Sequence, residues 1–232
     1  MIDIFLSQYN SVKFNLYFQS LSTFLGTILM KGIVIAALIG LVPSLMVGGV
    51  SHSQQSHQDL QFEQALREAR QVSTELAEKV RGLLLQEIER GGFLNAVRVC
   101  SESAQKITQQ FYKDTGHYAR RVSLRYRSTN NIPDDYERRK LEEFDFLNRE
   151  KRLGNEYIEV VKEGSQEYLR YMRPLVAIPL CLVCHGPKEN IPSEIKAILA
   201  EKYPDDRATG FLSGDVRGTI SVKIALPHRG SR

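Results

Sequence analysis

Tryptophan is absent from the 232 residues, and cysteine occurs only three times, at Cys100, Cys181 and Cys184. Three thiols cannot make the disulfide framework that staples small secreted domains, so ordinary apolar packing has to hold the fold. An excess of one charge is lacking too: 31 Lys plus Arg stand against 27 Asp plus Glu, interspersed with no basic tail or stripe. That argues against nucleic acid as a partner. Internal repeats and low-complexity segments are missing, which excludes solenoids and tandem arrays. What is present is 42% apolar and 25% charged, long enough for one well-packed domain.

One long hydrophobic run exists. Gly32 to Val50 reads GIVIAALIGLVPSLMVGGV, preceded by Lys31 and followed by the polar run Ser51 to Ser56. Its length just suffices to span a hydrocarbon core, while its basic flank and the small residues Gly48 and Gly49 at its exit equally fit a secretory signal. A buried core helix is the alternative, which the position at the chain start disfavours. Signal or anchor, the segment puts the rest of the chain on the outer side of a membrane, in a periplasm or thylakoid lumen, with Lys31 inside. Met30 would make a conventional start for such a signal. The expected organisation is an N-terminal segment 1–50, a linker 51–59 and one domain over 60–228.

Within that domain, Phe62, Leu66, Ala69, Leu76, Val80 and Leu83 recur at helical spacing, and the pattern predicts an amphipathic helix over 58–90. Gly91-Gly92 interrupts it. A second helical stripe follows in Phe93, Val97, Cys100, Ala104, Ile107 and Phe111, with Gly116 at the position of a left-handed cap. Residues 119–127 alternate, Val122, Leu124 and Tyr126 against Arg121, Ser123, Arg125 and Arg127, and predict a half-buried strand with one basic face. A charged helix from Asp134 to about Arg152 comes next, then a hairpin of 157–162 and 167–176, a short helix over 193–202 and a last strand over 218–226. Helices first, then an antiparallel sheet with helical insertions, predicts an α+β fold.

The hairpin ends at Cys181-Leu182-Val183-Cys184-His185. This is CxxCH, the attachment signature of c-type haem: two thiols three positions apart form thioethers to one porphyrin, and the adjacent histidine lies under the iron. A zinc site would want two more ligands at suitable spacing, and a thioredoxin-like pair has no need of the histidine. Candidates for the sixth ligand are Cys100, Met172, His117, His57, His52 and His228. The linker histidines, His117 after the capping glycine and His228 near the terminus read as solvated, and Met172 reads as a strand core residue. Cys100 lies on the apolar stripe of its helix and points inward, as a ligand or as a plain buried thiol.

These residues resemble the c-haem-binding, PAS-like sensor domains found alone in cyanobacteria and fused to signalling modules in other bacteria. The matching blocks are 96–101 (AVRVCS), 122–127 (VSLRYR), 171–175 (YMRPL), 181–186 (CLVCHG), 203–210 (YPDDRATG) and 214–218 (GDVRG), in order over residues 60–226. The resemblance implies a PAS-like antiparallel sheet, one covalent haem c on Cys181 and Cys184, and His185 and Cys100 as axial ligands. With both positions filled and one ligand a thiolate, a low potential is expected. Loss of Cys100 on reduction would open a position for CO or NO and release a helix. Arg125, Arg127, Arg173 and Arg217 are candidate partners of the haem propionates.

The function expected is a non-enzymatic redox or gas sensor, exported or membrane-tethered, acting through an unidentified signalling or redox partner. A low-potential electron-transfer cytochrome is the alternative. A haem peroxidase would need a vacant distal position and a histidine base, for which His117 has no supporting feature, and a haem-free ligand-binding module would lack any covalent chromophore.

Overall fold

The computed structural model describes residues 51–227, with side chains from His57 onward. The apolar segment 32–50 and His228 lie outside the described residues, as does the side chain of His52. Among the described residues no helix is long and apolar enough to cross a membrane. Chain order is α1 (Ser51–Thr115), β1 (Tyr118–Val122), α2 (Asp135–Arg149), β2 (Tyr157–Glu163), β3 (Gln166–Val176), α3 (Pro179–His185), α4 (Ser193–Lys202) and β4 (Val216–Ala225). Two 3₁₀ turns, Thr129–Asn131 and Lys188–Asn190, interrupt the loops. The strands form one antiparallel sheet in the order β1-β4-β3-β2, so the last strand enters between the first and third. The α+β expectation holds.

Helix α1 is two arms broken at Gly91-Gly92, where Gly92 has φ 70°, a value that favours glycine. Asn95 caps the turn by donating to the Glu87 carboxylate (2.8 Å) and carbonyl (3.2 Å). The second arm folds back along the first, placing Lys79 over the Phe111 ring and His117 2.9 Å from Glu68. Ala65, Leu66, Ala69, Val72 and Leu76 then share one core with Phe111 and with Ala119, Leu169, Tyr171, Ile220 and Val222 of the sheet. Burial of those side chains is the main support of the hairpin, at about 1.5–3 kcal/mol for each large one. The expected linker 51–59 is instead the start of α1: 51–59 contains neither proline nor glycine, and nothing in it stops a helix from propagating outward.

The other sheet face packs on α2 through Val122, Leu141, Phe144, Met172 and Val216. Charges lock this face. Arg170, 2% exposed, reaches Asp134 (3.0 Å), Glu163 (3.3 Å) and the fully buried Glu137 (3.7 Å). Asp134 and Glu137 also close a capping box on α2, and Arg120 approaches Glu137 from β1 at 3.7 Å. One guanidinium therefore joins the helix start, β2 and β3.

The expected strand 119–127 stops at Val122. A Cβ at Gly218 would lie 2.4 Å from the Val122 carbonyl oxygen, so the start of β4 meets the end of β1 at backbone contact, and the chain turns away. Ser123 Oγ, bonded to the carbonyls of Arg125 and Arg217, fixes the departure. The arginines after Val122 consequently sit in a loop that folds toward the motif, and the basic face expected in solvent does not form.

Two outcomes follow from the Arg170 network. Arg170→Ala leaves the buried Glu137 with only Arg120 and the Asp134 amide among the described residues and strips Asp134 and Glu163 of a shared cation, and it should lower the unfolding free energy by about 3 kcal/mol in a urea titration. Burial pushes the Asp134 carboxyl up, but the Glu137 amide and Arg170 outweigh it and hold it below its ordinary value. Its contribution is then complete above the unfolded carboxylate pKa and is lost as pH falls through the folded one, so Tm should fall less steeply with acid in Asp134→Asn than in the parent.

Candidate functional site

Helix α3 carries the motif. Pro179 opens it at a first-turn position where no amide hydrogen is needed, and paired bonds between Ala177 and the 214–215 turn (both 2.8 Å) fix its entry from β3. Gly186 ends it, where a Cβ would lie 2.6 Å from the Leu182 oxygen. The loop after α4 then grips the exit: the Gly210 amide donates to Gly186 O (2.8 Å) and the Phe211 amide to His185 O (3.0 Å). Cys181 packs beside Ala177, Ala208 and Phe211, whereas Cys184 packs with Val97, Ile195 and Leu199. Both thiols are free and half-buried.

His185 is held in one tautomer. Its Nδ1 lies 2.7 Å from the Ala208 carbonyl oxygen, which can only accept, so Nδ1 carries the hydrogen and Nε2 keeps its lone pair. Arg217 Nη2 points at that lone pair from 3.3 Å, and Phe211 meets the ring edge-on at 6.3 Å. Burial, then the charges of Arg217 and Arg127, push the imidazole pKa well below its ordinary value, leaving it neutral.

Positive charge exceeds negative around this ring. Arg127 pairs with Asp206 (3.1 Å), both side chains nearly buried, and donates to the carbonyls of Cys184 and Ala208. Arg217 Nε and Arg121 Nε are buried with no hydrogen-bond partner. Burial, with Arg127 and Arg121 nearby, brings the Arg217 guanidinium down to about 9. Asp206 and the Cys181 thiol act against that shift.

Cys100 comes from the second arm of α1. Burial and Glu87 raise its thiol pKa against the opposing charge of Arg121. Cys100 also acts on Cys184, so the fold brings these two sulfurs within electrostatic reach across the core that joins α1 to α4. Tyr203 donates to the Ser101 carbonyl at 3.3 Å and senses Cys100, Arg121 and Arg127.

Cys100, Cys181, Cys184, His185, Arg127 and Arg217 therefore converge. Two expected partners do not join them. Arg125 lies 3.5 Å over the Phe211 ring and pairs with Asp215, so its charge is already matched. Arg173 projects from β3 toward the first arm of α1 and donates to Thr74 (3.3 Å), away from the motif. Met172 is packed on the α2 face, His117 pairs with Glu68 and His57 is exposed. Arg121, Tyr203, Asp206 and Phe211 were not legible as site residues; only the block 203–210 hinted at the last turns. Among the described residues no group of three or more His, Cys, Asp or Glu side chains is arranged to hold a metal ion by itself.

The fold and site define an α+β protein with a helical hairpin and a histidine-bearing dithiol turn packed on a four-stranded sheet. Residues 53–225 match the family described as Tll0287-like, and the chain belongs to that family. The crystal structure of the cyanobacterial heme-protein Tll0287 superimposes with a TM-score of 0.54 at 28% identity, covering 70% of this chain and 96% of that one. No curated protein matches.

The Arg127 pair is the testable element here. Arg127→Ala should cost about 3 kcal/mol, since it leaves the nearly buried Asp206 without its cation and removes a donor from the Cys184 carbonyl, while Arg127→Ala on an Asp206→Asn background should cost clearly less. Equal costs in a urea-unfolding cycle would show that the pair is not coupled.

Proposed function

We propose that this protein carries one covalent haem c on Cys181 and Cys184, with His185 and Cys100 as axial ligands, in a PAS-like domain that serves as a redox or gas sensor. The observation that carries the reading is the His185 ring: neutral, fixed by Ala208 and offering Nε2, on one helical turn with two free thiols. Membership of the Tll0287-like family, with a heme protein as structural neighbour, supports it. So does the charge balance, because Arg217 and Arg121 are buried cations with unpartnered donors where a dicarboxylate macrocycle would supply anions.

When bound, the haem supplies an iron that changes oxidation state and, in its reduced form, takes small gases such as CO or NO. The chain supplies everything else. Ala208 orients His185, and Arg217 must leave Nε2 for that nitrogen to coordinate. Arg127 and Arg217 are the cations placed to meet propionates. Cys100 belongs to the helical arm packed on α4, so a thiol that is held or released there changes the tether of a whole helix. No catalytic residue is assigned, and the response passes to a partner protein on the outer side of the membrane.

Expression with a cytochrome c maturation system should give a chain that keeps its colour through denaturing electrophoresis. Cys181→Ser with Cys184→Ser should lose that colour, which would persist only if attachment lies elsewhere. Cys100→Ala should keep the covalent haem but convert the ferric spectrum from low-spin to high-spin; an unchanged spectrum removes Cys100 as a ligand.

A further inference from the structure

A cleft of ≈ 790 Å³ opens on the side of the molecule where Arg173 points, bordered by the first arm of α1, the α2–β2 connection and β3. Its size is that of a small-molecule site, and its charge is unbalanced. Arg70 and Glu156 neutralise each other in a bidentate pair, with Arg70 Nε 3.0 and 3.1 Å from the two carboxylate oxygens. That pairing, with Tyr171 and the charge of Arg173 adding to it, holds the Glu156 carboxyl below its ordinary value, so a single carboxylate stands against Arg70, Arg173 and Lys151 among the residues lining the cleft. Arg173 and Lys151, both lining the cleft, form no ion pair among the described residues.

Lys151 is unusual in a second way. It is the residue just past the end of α2, with φ 58°, the one non-glycine at positive φ among the described residues. Its amide donates to Asn148 O (3.1 Å) and the Arg152 amide to Leu147 O (2.8 Å), which is the Schellman pattern that closes helices. Glycine suits that position and asparagine is the usual substitute, while a lysine there is strained. The strain has no return in packing, since Lys151 is exposed, but it sets a long cationic side chain at the rim of the cleft.

We propose that this cleft binds a small dianion, a dicarboxylate or a phosphate, between Arg173 and Lys151. Arg173 sits half-buried in β3, its side chain hydrogen-bonded among the described residues only to Thr74, and presents a planar fork to one oxyanion group. Lys151 supplies a point charge to the other. The site is independent of the haem reading: none of its residues contributes to the motif, and it can be tested whatever the haem content. Its position on β3, which runs directly into α3, makes it a natural input to the same domain.

The test is calorimetric titration of the full-length chain with succinate and with inorganic phosphate, repeated on Arg173→Met and Lys151→Gly. Saturable binding of either probe is expected, weakened about tenfold or more by each substitution and by raised salt. Binding of succinate alone or of phosphate alone supports the site and identifies the class of anion. Lys151→Gly separates the proposal from a structural role, because glycine relieves the backbone strain: Tm should rise while affinity falls. Absence of saturable binding of both probes up to about 10 mM, or affinities unchanged in both variants, overturns the proposal.

Discussion

Arg127 donates to the carbonyls of Cys184 and Ala208 and pairs with Asp206, and through those bonds the end of α3 and the loop after α4 become one body. The geometry of His185 depends on it, because the Ala208 carbonyl that Arg127 fixes is the same one that holds Nδ1. A carbonyl with two lone pairs can accept both bonds at once. The imidazole is thus oriented through a shared oxygen, with backbone contacts from Gly210 and Phe211 as support. A histidine held in this way keeps its tautomer and its direction whether or not anything is attached to Nε2.

The same architecture concentrates cations where burial disfavours them. Arg121, Arg127 and Arg217 come from β1, the loop after it and β4; Asp206 pairs with Arg127 and acts on Arg217, while Arg121 is met only by the weaker acids Tyr203 and Cys100. Buried charge left unmatched is destabilising, so the arrangement makes physical sense as half of a binding site whose anions arrive with the ligand. On the proposed reading those anions are propionates, and Arg217, which lies against Nε2, would move on loading. The cleft at Arg173 shows the same imbalance on a smaller scale.

Much of this was legible in the sequence where a pattern is local. The Gly91-Gly92 break, the hairpin around Gly164, the helix over 193–202 and the CxxCH turn all rest on spacing or turn chemistry within a few residues. The fate of the arginines was not. Alternation over 119–127 reads as a strand with a basic outer face, but where that strand ends is decided by the approach of Gly218, nearly a hundred residues away. Arg125, Arg127 and Arg173 look alike in sequence, and only the loop's departure from the sheet and the face of β3 distinguish a site residue from a partner of Asp215 or Thr74. Cys100 was readable from its helical register, whereas its approach to Cys184 needed the fold of the hairpin over α4. The linker was misread because a polar run of serine, glutamine and histidine without proline or glycine does not break a helix.

The central claim is that Cys100 and His185 flank one iron. Its most direct test is a potentiometric titration of the haem-loaded protein followed by absorption and EPR, repeated under CO. The account predicts a low-spin thiolate signal in the ferric state, a strongly negative midpoint, and CO binding only after reduction. A high-spin ferric signal in the native protein, or a low-spin signal without thiolate character that Cys100→Ala leaves intact, would contradict it.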